Sequence, residues 1–273
     1  MLAVLRISST VVKLRGEGDF LKCKIGGLIM PKNKRKFPSV ETLEGAGVRV
    51  KRLFPTQHLR NYDPFVLLDE FFVDPSTGFP PHTHRGFEAI TYMLKGSFRH
   101  TDDIGNDTEV FPGGVQRFTA GRGIMHSEMP GKEKINHGFQ IWINLPKRLK
   151  EIEPSYQQVD PEQIPEITVE GRKIRTIVGE GSPVELLTPV IYLDITLDEK
   201  ARYAVNTPDE FVGFIYVFQG VLKTEETAIK TGEALFLKEG ERLTVQSEAL
   251  SRFLVLTGKP HGEPIHQHGP FVD

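Results

Sequence analysis

The chain has 273 residues, enough for one large domain or two ordinary ones, and its 38% hydrophobic and 26% charged content is that of a soluble globular protein. A formal net charge of -2 argues against general affinity for nucleic acid or anionic membranes, and a single cysteine, Cys23, rules out an intrachain disulfide. No apolar run is long enough to span a bilayer, and Arg6, Lys13, Arg15, Glu17 and Asp19 break up any signal-peptide core, so a cytoplasmic protein with no membrane partner is expected.

In chain order, residues 1–37 read as an extension outside the core fold. Gly16-Glu17-Gly18-Asp19 interrupts its short apolar pairs, and Lys32, Lys34, Arg35 and Lys36 form a basic cluster that reads as a solvated linker. Cys23 has no histidine near it in sequence and reads as a free thiol. From residue 38 to 150 the pattern is that of β-strands. Val48 to Leu53 alternates apolar and charged residues, whereas Phe65 to Phe72 is apolar enough for a strand buried on both faces. Phe87 to Leu94 is a further strand, Asp102 to Asp107 a polar turn, Pro112-Gly113-Gly114 a tight turn, and Phe139 to Leu145 a cleanly alternating strand. Pro146 to Glu151 is the best short-helix candidate. Pro154, Pro161 and Pro165 mark residues 151–165 as a linker to a second unit at 166–273.

The second unit echoes the first. Tyr92-Met93-Leu94-Lys95-Gly96 matches Tyr216-Val217-Phe218-Gln219-Gly220, Pro112-Gly113-Gly114 matches Thr231-Gly232-Glu233, and the strand holding Trp142 matches the one holding Val255. Many short strands with Gly-rich turns, present twice, predict an all-β chain of two tandem jelly-roll barrels, a pair able to stand as a monomer.

The chemistry-bearing residues gather between Gly78 and Glu128. His82 and His84, and likewise His126 and Glu128, are spaced i, i+2, which on a strand puts both side chains on one face. Extending the alternation from His82 brings Glu88 to the same face, so the donor set is His82, His84, Glu88, His126 and Glu128. Imidazole plus carboxylate suits a first-row metal such as Fe(II), Mn, Ni or Zn. No histidine occurs between Gly138 and Pro260, so the site is single and belongs to the first barrel. His261, His266 and His268 cluster near the carboxyl end, where a packing or solvent role is expected.

Gly78-x3-His82-x-His84-x3-Glu88-x7-Gly96 resembles the first motif of the cupins. Longer stretches resemble the pirin family of bicupins: Asp63-Pro64-Phe65, Leu68-Asp69-Glu70-Phe71, Gly78 to Glu88, Thr119 to Pro130, and the tail His268-Gly269-Pro270-Phe271-Val272. The resemblance covers about residues 40–273. It implies two cupin domains, iron as the metal, ligands His82, His84, His126 and Glu128, and Glu88 nearby but not ligating. It also implies one of two functions. The first is an Fe(II)-dependent dioxygenase of the quercetin 2,3-dioxygenase type, taking a small aromatic substrate and O2. Glu128 would then accept the phenolic proton, Phe87, Phe118 and Met125 would form the apolar wall, and Arg122 would attract an anionic substrate. The second is a metal-dependent redox-sensing regulator that shows a surface to a protein partner, for which Arg49, Lys51 and Arg52 are a candidate basic patch.

Overall fold

The computed structural model describes residues 35–273 and, in backbone only, the strands Cys23–Ile25 and Leu28–Met30; Lys32 and Lys34 of the basic cluster and the side chain of Cys23 lie outside the described residues. Among the described residues no helix is long and apolar enough to cross a membrane.

Each unit is a barrel made of a seven-stranded and a four-stranded sheet. In the larger sheet of the first unit, Phe87–Lys95 lies between Val115–Thr119 and Asn136–Asn144, followed outward by Phe65–Val73, Val48–Phe54 and Val40–Glu44. In the second unit Val212–Gln219 lies between Glu233–Leu237 and Ser251–Gly258, followed by Val190–Leu197, Arg172–Val178 and Glu166–Val169. The strand order is the same, so the duplication read from the Tyr92 and Tyr216 stretches is present in three dimensions. The turn glycines correspond too. Gly96 and Gly220 have φ of +73° and +81°, and an added Cβ would lie 2.3 Å from Asn136 Oδ1 in one and 2.4 Å from Ser251 Oγ in the other. Only glycine tolerates both the conformation and the crowding.

The two large sheets pack face to face. Ile90, Tyr92, Phe139 and Ile141 from the first barrel share one buried cluster with Tyr192, Phe214, Tyr216 and Leu254 from the second. That is why Phe65–Val73 and Phe87–Lys95 are apolar on both faces: one face fills the barrel and the other fills the seam. The seam carries a reciprocal pair of polar ties. The Tyr92 hydroxyl donates to Asp194 Oδ2 at 2.7 Å, and its counterpart Tyr216 donates to Glu70 Oε2 at 2.9 Å. Asp194 is further held by the Arg252 guanidinium, and Glu70 by His137 at 3.0 Å.

The boundaries differ from the expected ones in three places. Lys36 and Phe37, placed in the amino-terminal extension, and Pro38, placed in the first unit, form a strand on Glu233–Leu237 of the second barrel. Arg35 and Lys36 are not a solvated linker; they pair with Glu241 at 2.6 Å and Glu233 at 3.2 Å. Within the expected linker, Ser155–Val159 pairs along the whole of Val115–Thr119 and completes the first barrel's large sheet. Prolines mark turns, and here they flank a strand instead of replacing one. Pro146 to Glu151 holds only a short 3-10 turn, Lys147–Leu149, too short to nucleate a regular α-helix.

Replacing Tyr92 by Phe removes a buried hydrogen bond to a charged acceptor and should lower the unfolding free energy by about 1.5–3 kcal/mol in denaturant titration, with the first barrel's metal content unchanged.

Candidate metal centre

The small sheet of the first barrel sets the site. Phe79–His84 and Ile124–Pro130 run antiparallel with His126 opposite His82 and Ile124 opposite His84. A bulge between His126 and Glu128 shifts the pairing so that Glu128 stands opposite Phe79. On its other side Ile124–Pro130 pairs with Phe98–Asp102, with His126 opposite Asp102 and Glu128 opposite His100. Residues directly opposite share a face, so all six of these functional side chains point into the barrel.

The three imidazoles meet. The donor nitrogens of His82, His84 and His126 lie within 4.8 Å of one another, the only such group of three among the described residues. His82 and His84 are each oriented by a backbone carbonyl: Nδ1–H of His82 donates to Pro80 O at 2.8 Å, and Nδ1–H of His84 to Pro270 O at 3.2 Å. A carbonyl only accepts, so in the neutral rings the proton sits on Nδ1 and Nε2 carries a free lone pair. His82 Nε2 is 3.1 Å from His126 Nε2. Two nitrogens bound at right angles to one ion at about 2.1 Å stand about 3 Å apart, so the observed spacing suits cis ligands. Burial keeps the His84 and His126 rings neutral. It lowers the His84 pKa to about 3, with the neighbouring His82 adding to the effect, and pushes His126 well below the ordinary histidine value. Neutral imidazole is the form a metal takes. Around the three imidazoles, His84 stacks on Phe118 at 5.7 Å and meets the edge of Trp142 at 4.9 Å, apolar neighbours that hold its ring in place.

The two glutamates are placed differently. Glu128 is buried in the same barrel but does not join the three-nitrogen group. Its Oε1 accepts from Thr91 Oγ1 at 2.9 Å and its Oε2 from Gln140 Nε2 at 2.8 Å. Glu88, expected beside the ligands, faces the other barrel. It accepts from Thr119 Oγ1 at 3.0 Å and from the backbone N–H groups of Leu187 and Thr188 at 3.0 and 3.3 Å. The alternation counted from His82 fails because the strand ends at His84 and restarts at Phe87. Gly86, at φ +85°, turns the chain between them and reverses which residues face inward. Burial raises the Glu88 pKa against the pull of these hydrogen bonds.

One pair escaped the sequence reading. His100 Nδ1 lies 3.3 Å from His126 Nδ1, and His100 Nε2 lies 3.0 Å from Asp102 Oδ2. The signal was there, since His100-Thr101-Asp102 has the same i, i+2 spacing as the other pairs.

A cavity of about 830 Å³ opens over His82 and His84, within the size range of small-molecule sites. Its apolar wall is Leu67, Phe71, Phe79 and Trp142. None of the four residues expected to line it does so. Phe87 and Phe118 are buried behind the imidazoles, packed against Trp142 and His84. Met125 is 46% exposed on the outer face, as the neighbour of an inward His126 must be. Arg122 sits at the surface in a 2.7 Å ion pair with Glu153. The roof is the chain's tail: residues 265–270 line the cavity, and Val272 N–H donates to Arg85 O at 3.0 Å. Lys150 Nζ ties the tail down by donating to Val272 O, Gly86 O and Asn144 Oδ1 at 2.8–2.9 Å.

Family models for pirin match residues 47–143 and for the pirin C-terminal cupin domain residues 192–273. Human pirin is 40% identical over 245 residues, 86% of this chain and 84% of that protein. The chain belongs to the pirin family. Pirin-like protein 2 of Arabidopsis thaliana is 38% identical, covering 89% of this chain and 79% of its own. Among solved structures, a quercetin 2,3-dioxygenase from Acinetobacter baumannii superposes with a TM-score of 0.80 at 29% identity, over 87% of this chain and 90% of that one. Bacterial pirin YhhW of Escherichia coli in complex with nickel(II) superposes with a TM-score of 0.67 at 21% identity, over 81% and 95%, a likeness of fold.

In this pirin-family chain the remaining expected features divide. Of the tail histidines, His261 packs: its Nε2 lies 2.9 Å from Asn144 O and 3.2 Å from Thr188 Oγ1. His266 and His268 line the cavity. The expected basic patch is mostly engaged. Arg52 grips Asp69 through two hydrogen bonds and pairs with Glu44 at 2.6 Å, while Arg49 and Lys51 each lie 5.2 Å over the Phe72 ring.

Metal content measured after loading and gel filtration should fall to a small residue in His126→Ala and stay near the parent level in Glu88→Gln, because only the first removes one of the three convergent nitrogens. Equal losses would contradict this placement of Glu88.

Proposed function

We propose that this chain is an Fe(II)-dependent dioxygenase of the quercetin 2,3-dioxygenase type, acting on a planar phenolic substrate with O2. The observation that carries the reading is the convergence of the donor nitrogens of His82, His84 and His126 within 4.8 Å of one another, with His82 and His84 lining a roughly 830 Å³ cavity that has an aromatic wall. The Acinetobacter baumannii structure, named as a quercetin 2,3-dioxygenase, supports it by likeness over 87% of this chain. His82, His84 and His126 hold the ion, with Glu128 as the fourth ligand. When bound, Fe(II) supplies Lewis acidity toward a phenolic oxygen and the electrons that O2 chemistry needs.

The chain's own residues do the rest. Trp142 and Phe79 offer flat faces to a planar ring. Glu128 takes the phenolic proton. The carboxylate is held ready by Gln140, whose amide oxygen accepts from Trp142 Nε1–H at 3.1 Å while its amide nitrogen donates to Glu128. Wall and base are therefore tied together, so a ring seated on Trp142 is placed with respect to Glu128. The tail, residues 265–270, lines the cavity on one side.

The protein should be purified anaerobically, loaded in parallel with Fe(II), Mn, Ni and Zn, and given quercetin while O2 uptake is followed. Turnover is expected with Fe(II), with a loss of about 10²–10⁴-fold in kcat for Glu128→Gln. No O2 uptake with any of the four ions would overturn the quercetinase reading. It would leave the regulatory one, in which the same centre displays its oxidation state to a protein partner.

A further inference from the structure

All three imidazoles use Nδ1 for orientation, but their partners differ. Backbone carbonyls hold His82 and His84, and His126 instead faces another side chain, His100. An imidazole nitrogen can donate or accept, so this contact fixes nothing until the state of His100 is known.

Asp102 settles that state. Its carboxylate is fully buried and surrounded by donors: Oδ1 accepts from the N–H groups of Ile104 and Asn106 at 3.2 and 2.8 Å, and Oδ2 from Asn106 Nδ2 at 2.8 Å. Both oxygens thus take backbone or amide N–H donors, the surroundings of a carboxylate that accepts. An ionised carboxylate only accepts, so the ring nitrogen 3.0 Å away, His100 Nε2, carries a proton. In a neutral imidazole Nδ1 of His100 is then an acceptor. With His100 in that form, the proton shared with His126 sits on His126 Nδ1, and His126 Nε2, 3.1 Å from His82 Nε2, keeps its lone pair. The His100 ring has no freedom to rotate away: it stacks on Tyr156 at 4.4 Å, nearly parallel, and its side chain is 1% exposed.

We propose that Asp102 and His100 are positioning residues which act in series to set the tautomer of His126, so that it joins the metal site through Nε2. The chain runs Asp102, His100, His126, and its two outer links come from one strand, Phe98–Asp102, paired in register with the strand of His126. It rests on the reading of His82, His84 and His126 as the metal ligands. It differs from the carbonyl links of the other two ligands in being open to mutation.

The test uses the full chain and Zn(II) alone. Zn(II) affinity is measured by chelator competition, and the His126 tautomer is read from long-range ¹H–¹⁵N correlations of the Zn(II)-loaded protein. In the parent, His126 should show a protonated Nδ1 and a liganded Nε2. His100→Phe keeps a ring against Tyr156 but offers no acceptor, and should lose about 10–100-fold in Zn(II) affinity, the usual cost of removing such an outer partner. It should also lose the single Nδ1–H signal. His100→Asn restores a carbonyl acceptor and should recover part of the affinity, which a purely structural role for the ring would not give. Asp102→Leu, which leaves His100 without its anchor, should show the same loss of a single tautomer at His126. Unchanged affinity and an unchanged His126 signal in both His100→Phe and Asp102→Leu would overturn the proposal while leaving the triad intact. A parent chain that binds no Zn(II) through the three histidines would overturn the triad and the proposal with it.

Discussion

The site depends on one strand pairing. His126 stands opposite His82, and that register decides which side chains share the interior of the first barrel. A slip by one residue would send His126 outward and bring Met125 in, because strand side chains alternate. The register is held from both sides. Ile124–Pro130 is sandwiched between Phe79–His84 and Phe98–Asp102, with the bulge after His126 on one side only. The bulge lets Glu128 keep its place opposite His100 while shifting it along the ligand strand. Histidine pairs on adjacent strands are then brought to a common point by backbone geometry, and the Nδ1 partners complete the aim.

The second barrel carries no comparable donor group among the described residues, yet the site depends on it. Its large sheet covers the back of the first barrel's large sheet, so both can be apolar on two faces. The reciprocal ties of Tyr92 to Asp194 and Tyr216 to Glu70 satisfy polar groups that would otherwise be stranded in that seam. Glu88 plays a related part, receiving the N–H groups of Leu187 and Thr188 from the second barrel's loop between Arg172–Val178 and Val190–Leu197. The chain then returns from the second barrel to the first. The tail crosses the cavity, supplies the Pro270 carbonyl to His84, and is clamped by Lys150. One of the three convergent imidazoles of the first barrel is thus oriented by residues that follow the second.

Much of this was legible in the sequence, and the exceptions have physical causes. Alternation and turn glycines are local signals, so the duplicated all-β architecture and the convergence of His82, His84 and His126 could be read directly. Glu88 was misplaced because counting by twos presumes an unbroken strand, and Gly86 breaks it. The cavity wall was misassigned because proximity in sequence to a ligand says nothing about side-chain direction. Met125 and Arg122 adjoin His126 along the chain and point elsewhere, whereas Trp142 and Phe79 arrive from other strands. The roof was invisible for a related reason. The pirin-like tail motif at His268 to Val272 was recognised as a motif, but nothing local says that it folds back 186 residues to His84. Long-range closure of this kind is a property of topology, and only the pairing of strands reveals it.

The central claim is that a single ion is held by three imidazoles of the first barrel. Anomalous diffraction at the iron edge from crystals of the iron-loaded protein tests it most directly. One peak per chain is expected, about 2.1 Å from Nε2 of His82, His84 and His126. A peak among His261, His266 and His268, or one bonded to Glu88, would contradict the account.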